Sequence, residues 1–212
     1  MSYLAISKSL AGFLTEKASL TPEKEVVLTY AIEVLVINLG NILCTLILAA
    51  LLGVLPGTLS CLITAFLFRH TAGGAHSRSP WRCAAVTITI FPAMALLAVF
   101  LAQFSAVFIG VLSTLAVLTG LITVAVLAPV DSPSAPIISP VRRKKLKILS
   151  LVVLTLITAT IFFIRRSGWV YAPQIQICLV LSVLWVSFML SRPGHSVMCL
   201  IDKINLRRCK AS

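Results

Sequence analysis

A chain of 212 residues that is 59% apolar and only 11% charged, with a mean hydropathy of +1.05, lies outside the range of soluble domains, where about a quarter of residues carry charge. Its 18 Lys and Arg against 6 Asp and Glu give a net charge of +12, and in so apolar a chain this excess is read first as a topology signal, because basic loops stay on the cytoplasmic side. Nucleic-acid binding is set aside in favour of an all-α, polytopic integral membrane protein. The same basic face attracts anionic headgroups and acidic peptides.

The six cysteines do not read as a disulfide framework, since Cys44, Cys61 and Cys178 lie inside apolar runs, where a free thiol behaves as a small hydrophobe. No CxxC pair occurs, so a structural zinc cluster has no support, and no cofactor is expected. Charges at Glu16, Lys17, Glu23, Lys24 and Glu25 interrupt the N-terminal region and argue against a cleavable signal.

Residues 3–20 place Leu4, Ile6, Leu10, Phe13 and Leu14 at mostly helical spacing, so residues 1–25 are expected to hold a helix at the membrane surface, or a plain solvated one. Thr21-Pro22-Glu23 reads as an N-cap, a first-turn proline and an acidic first turn. The first span follows over residues 26–55. It carries Glu33, either a functional carboxylate or one near the cytoplasmic headgroups. Pro56-Gly57 is expected to make the turn.

Residues 58–68 are eleven mostly apolar positions, about 16 Å of helix against a ~30 Å hydrocarbon core. This second segment is short or re-entrant and leads into a polar island over residues 69–83. Spans are expected over residues 83–101, with Pro92 kinking the helix, and 107–127, with Gln103 in the turn between them. Residues 128–147 form a cytoplasmic loop rich in proline, ending in the basic block of residues 142–147. Two last spans, residues 148–164 and 174–190, precede a basic cytoplasmic tail over residues 191–212. About six segments in one membrane-embedded unit, residues 1–212, put both termini, the island and the basic loop on the cytoplasmic side. Gly110 and Gly120 would let helices pack closely within one chain or between two copies.

The chemistry is concentrated in the island. A thiol and an imidazole, Cys83 and His76, suffice for nucleophilic catalysis, His76 taking the proton. With a helix restarting at Ser79-Pro80, Cys83 falls near its first turn, where the dipole favours thiolate. Gly73 and Gly74 allow a tight bend, and their N–H groups could serve an oxyanion. Arg69, Arg78 and Arg82 either fix a substrate carboxylate or reach to headgroups. Asp131 is a candidate to orient His76, or a turn-stabilising aspartate beside prolines. Two other readings stay open: a small transporter or scaffold with the island as a re-entrant gate, and a zinc hydrolase built on His70, His76 and Cys83.

The pattern Arg69-x-x-x-Gly73-Gly74-x-His76 followed by Cys83, after a short apolar segment and before a long one, closely resembles the accessory gene regulator protein B (AgrB) family of bacterial quorum-sensing peptidases. Asn38-Leu39-Gly40, Ala128-Pro129-Val130-Asp131, Pro136 and the block at residues 142–147 extend the resemblance over nearly the whole chain. The resemblance implies a multi-pass protein of the bacterial cell membrane that cuts a small AgrD-like propeptide between its signal core and its acidic C-terminal tail. Cys83 would be the nucleophile and His76 its base, leaving the core as a thioester that a cysteine or serine of the peptide then attacks to close a ring.

Overall fold

In hydrocarbon, a hydroxyl or amide that cannot bond to its own helix must find a partner inside the protein, which drives the helix richest in such groups to the centre. The computed structural model, which describes residues 9, 12–14, 21–75, 77, 79–131 and 137–203, follows this rule. Among the described residues there are α1 (Pro22–Leu51), α2 (Leu55–Thr71), α3 (Pro80–Leu101), α4 (Ala106–Leu127), α5 (Pro140–Ile164), α6 (Ala172–Leu190) and α7 (Arg192–Lys203), and no strand. The central helix is α6.

Gln174, Gln176, Ser182 and Ser187 of α6 are all buried. Gln176 Nε2 donates to Ser113 Oγ of α4 at 3.4 Å, and Thr123 Oγ1 of α4 donates to Ser187 Oγ at 3.0 Å. By contrast, Thr114 and Thr119 of α4 and Thr155 and Thr160 of α5 return their hydroxyls to carbonyls one turn back, at 2.8–2.9 Å. A threonine satisfied in this way can face lipid, so α4 and α5 can lie outside.

Around α6 pack α2, α3, α4, α5 and α7. One face, through Ile175, Leu179 and Val183, meets Val124 of α4 and Leu154 and Ile157 of α5. The other, through Ile177 and Cys178, meets Cys61 of α2 and Phe91 and Ala95 of α3. Small residues set the closeness of these contacts. A Cβ on Gly120 would stand 2.6 Å from Val183 Cγ1, so Gly120 serves packing within the chain.

Five helices, α1 and α3 to α6, are long and apolar enough to cross a membrane. The second segment is short, as expected, yet α2 is one continuous helix of 17 residues that runs past Phe68 through Arg69 and His70. The turn before it differs from expectation. It falls at residues 52–54, where Gly53 takes φ +70°, while Pro56 and Gly57 sit in the first turn of α2. A helix can begin with proline because first-turn N–H groups have no intrahelical acceptor to lose.

Two further boundaries shift for the same kind of reason. Pro140 follows the N-cap Ser139, whose Oγ accepts from Arg142 N–H, so the basic block lies in the first two turns of α5 rather than in the loop. The tail begins as α7, directly after α6. Helix α3 runs through Pro92 without ending, and Glu33 is buried rather than exposed at the surface of α1. The expected surface helix over residues 1–20 lies largely outside the described residues, as do residues 132–136 and 204–212.

Gly120→Leu is expected to destabilise the fold by about 1–3 kcal/mol by overpacking the contact between α4 and α6. Gly40→Leu should not, since a Cβ there meets nothing within 4 Å. Thermal unfolding of the two variants in detergent checks this.

Candidate active site

Helix α2 ends because its last carbonyls are drawn into a turn: Phe68 O accepts the N–H groups of both Ala72, at 2.7 Å, and Gly73, at 3.2 Å. Gly73 and Gly74 then take φ +76° and +131°, which only glycine adopts without strain, and swing the chain away from the helix axis. Two backbone bonds fix where it goes. Val130 N–H, from the segment after α4, donates to Ala72 O at 2.9 Å, and Ala75 N–H donates to Met189 O, in the last turn of α6, at 2.9 Å. A Cβ on Gly73 would come within 2.5 Å of Val130 O, so this position needs glycine for space as well as for φ.

Helix α3 starts at Pro80 after its N-cap Ser79, and Cys83 N–H makes the first-turn bond of α3 to Ser79 O at 3.2 Å. The half-buried Cys83 thiol therefore sits at the positive end of a helix. It lines an apolar cavity of about 340 Å³, walled by Phe66 of α2, Val86 and Ile90 of α3, and Trp185 and Met189 of α6. Asn38 and Asn41 of α1 and the backbone of residues 73–75 supply its polar edge. At the same cavity Arg69 Nη1 donates to Cys83 Sγ at 3.6 Å.

Of the residues singled out from the sequence, Cys83, Arg69, Gly73 and Gly74 thus come together at one cavity. His76 and Arg78 lie outside the described residues. The Gly73 N–H is committed to Phe68, whereas the Gly74 N–H makes no hydrogen bond among the described residues and is the donor of the two left for an anion. Asp131 is exposed, and its carboxylate pairs with Arg143 at the start of α5. His70 stacks edge-on against Phe66, with ring centroids 4.4 Å apart, in the last turn of α2. Among the described residues no three His, Cys, Asp or Glu side chains converge on a metal position.

Arg82 corrects an expectation. Instead of reaching for substrate or headgroups, its Nη1 donates to the Asp202 carboxylate at 3.2 Å and to the carbonyls of Asp202 and Ile201 at 2.7 and 3.2 Å. Asp202 was not legible as a site residue, although its signal is present: it is the only acidic residue after Asp131. Trp185, Met189 and Met198 also reach the cavity, and nothing in the sequence separates them from lipid-facing apolar residues.

A cysteine thiol, an arginine and a double-glycine turn beside an apolar cavity, inside a bundle of helices long and apolar enough to cross a membrane, define a polytopic membrane protein with a half-buried thiol at an internal cavity. The family model of accessory gene regulator B matches residues 7–190, and the chain belongs to that family. It is 28% identical over 206 residues to AgrB-like protein 2 of Clostridium perfringens strain 13, covering 93% of this chain and 95% of that protein. It is 25% identical over 203 residues to an AgrB-like protein of C. perfringens strain SM101, with the same coverage of 93% and 95%. No solved structure matches the chain.

Gly73→Ala should displace the turn from Val130 and loosen the Val130 to Ala72 hydrogen bond, a loss of ~1 kcal/mol that speeds local amide exchange roughly fivefold. Hydrogen exchange read by mass spectrometry on peptides covering residues 128–131 checks this, with α1 peptides as the unchanged reference.

Proposed function

We propose that the chain is a membrane cysteine endopeptidase of the bacterial cell membrane that removes the acidic C-terminal tail from a small AgrD-like propeptide and passes the remaining quorum-sensing signal core on through a thioester at Cys83. The observation that carries this reading is the Arg69 guanidinium 3.6 Å from Cys83 Sγ at an apolar cavity. The cation is placed to hold negative charge on sulfur, and the cavity can take the apolar side chains preceding the cut.

In this reading His76 removes the thiol proton and Cys83 Sγ attacks the scissile carbonyl carbon, forming the C–S bond and a tetrahedral oxyanion that the Gly74 N–H can receive. Collapse breaks the C–N bond. His76 returns its proton to the departing amine of the acidic tail, and the signal core stays on Cys83 as a thioester. A cysteine or serine of the core then attacks that thioester, its proton passing to the Cys83 sulfur as the ring closes and the C–S bond breaks. Exchange of one thioester for another is nearly balanced in energy, so loss of the tail helps to draw the reaction forward.

The acidic tail has a complementary surface. Val130 bonds to the island through Ala72 and Asp131 bonds to α5 through Arg143, so this two-residue segment brings the basic start of α5 beside the double-glycine turn. We assign Asp131 this supporting part. Arg142, Lys144 and Lys145 are exposed there, on the face we take as cytoplasmic together with both termini.

Reconstituted wild type, Cys83→Ala, Cys83→Ser and His76→Ala proteins, each incubated with a small AgrD-like peptide carrying an acidic tail, test the reading by mass spectrometry. Tail release by wild type alone, with a peptide adduct mapped to Cys83, is the expected result. Undiminished processing by both Cys83→Ala and His76→Ala would remove the peptidase assignment. Reversing charge at Lys144 and Lys145 to Glu should raise KM about tenfold at low salt and much less at high salt, with kcat little changed.

A further inference from the structure

We propose that Asp202, on the short helix beyond the last span, is the positioning residue of this site: one carboxylate that holds both Ser77 of the island and Arg82 at the start of α3, just ahead of Cys83. The inference rests on the peptidase reading above. Asp202 itself lies beyond the stretch that the family model matches, which ends at residue 190.

Helix α7 is placed by close contact. Only Ser191 separates it from α6, and a Cβ on Gly194 would stand 2.2 Å from Phe188 O, so α7 folds back against the last turn of α6. That is the turn whose Met189 carbonyl holds Ala75. Met198 of α7 is buried with Ala75 and Met189 and also lines the cavity. The apolar side of α7 therefore closes the cavity wall and delivers its C-terminal end to the island.

At that end Asp202 Oδ1 accepts from Ser77 Oγ at 2.5 Å and from Arg82 Nη1 at 3.2 Å. Ser77 Oγ in turn accepts the N–H of Ser79, the N-cap of α3, at 3.2 Å. Arg82 is held a second time by the carbonyls of Ile201 and Asp202, near the end of the described part of α7. Ser77 directly follows His76 in the chain and Arg82 directly precedes Cys83. The ion pair is largely shielded, with side chains 25% and 17% exposed, so it is screened less than a surface pair. Reaction rate is far more sensitive than stability to sub-ångström placement of a nucleophile and its base, and the network restrains one neighbour of each.

Full-length protein reconstituted in vesicles, with the acidic-tailed propeptide as substrate, tests this through Asp202→Ala, Asp202→Asn and Ser77→Ala. Asp202→Ala is expected to lower kcat at least about tenfold with KM within about twofold, since it loosens placement and not substrate contacts. Asp202→Asn should recover most of the rate, because its amide oxygen still accepts from Ser77 and Arg82. Ser77→Ala should lower kcat in part and add nothing to Asp202→Ala. An unchanged kcat in Asp202→Ala, or no recovery in Asp202→Asn, overturns the assignment. So does a fall in unfolding temperature with unchanged kcat per folded molecule.

The two readings fail differently. If His76→Ala abolishes turnover while Asp202→Ala keeps the wild-type kcat, the peptidase stands and the Asp202 assignment falls. If wild type releases no tail, and iodoacetamide labels Cys83 at the same rate in wild type and His76→Ala, the peptidase reading fails and the Asp202 assignment falls with it.

Discussion

The bond from Ala75 N–H to the Met189 carbonyl is the contact on which the site depends. It joins the end of the central helix to the polar stretch that leads into α3 and Cys83. Met189 is fixed because α6 is fixed. Helix α6 is held to α4 through Gln176 and Ser187, while Ser182 bonds to its own backbone, polar groups that would find no partner in hydrocarbon.

From that anchor the site is assembled by backbone geometry before any side chain acts. Gly73 lets Val130 approach, Gly74 turns the chain toward α6, and the α3 N-terminus then falls close to the end of α2. The result is that Arg69, on a C-terminal helical turn, and Cys83, on an N-terminal one, face each other although 14 residues separate them. A cation near a helix C-terminus and a thiol near a helix N-terminus are each favourable locally, so their meeting costs the fold little.

Charge is arranged on the same end of the bundle. The basic turns of α5 reach the island through Val130 and Asp131, and α7 reaches it through Asp202. Within this positive surround Asp202 accepts from Ser77 and Arg82 and so acts as a tie between them. The cavity between α1, α2, α3 and α6 remains apolar, which suits a peptide chain entering from the membrane surface.

Hydropathy and charge by themselves determined the membrane class, the shortness of the second segment, the restart at Ser79-Pro80 and the polar island between the two apolar runs, because these are local properties of composition, helix length and turn residues. The motif around Arg69, Gly73, Gly74 and Cys83 was legible for the same reason. Only the tertiary structure decided that α6 is central, that Arg82 serves Asp202, that the Gly73 N–H is spent on Phe68 while that of Gly74 is not, and that Trp185, Met189 and Met198 face a cavity. In a chain where lipid-facing and protein-facing residues are equally apolar, hydrophobic periodicity cannot say which side of a helix is inside. That choice is made by long-range pairing of a few polar groups, and their partners lie 60 to 125 positions away, as for Gln176 with Ser113 and Ser77 with Asp202.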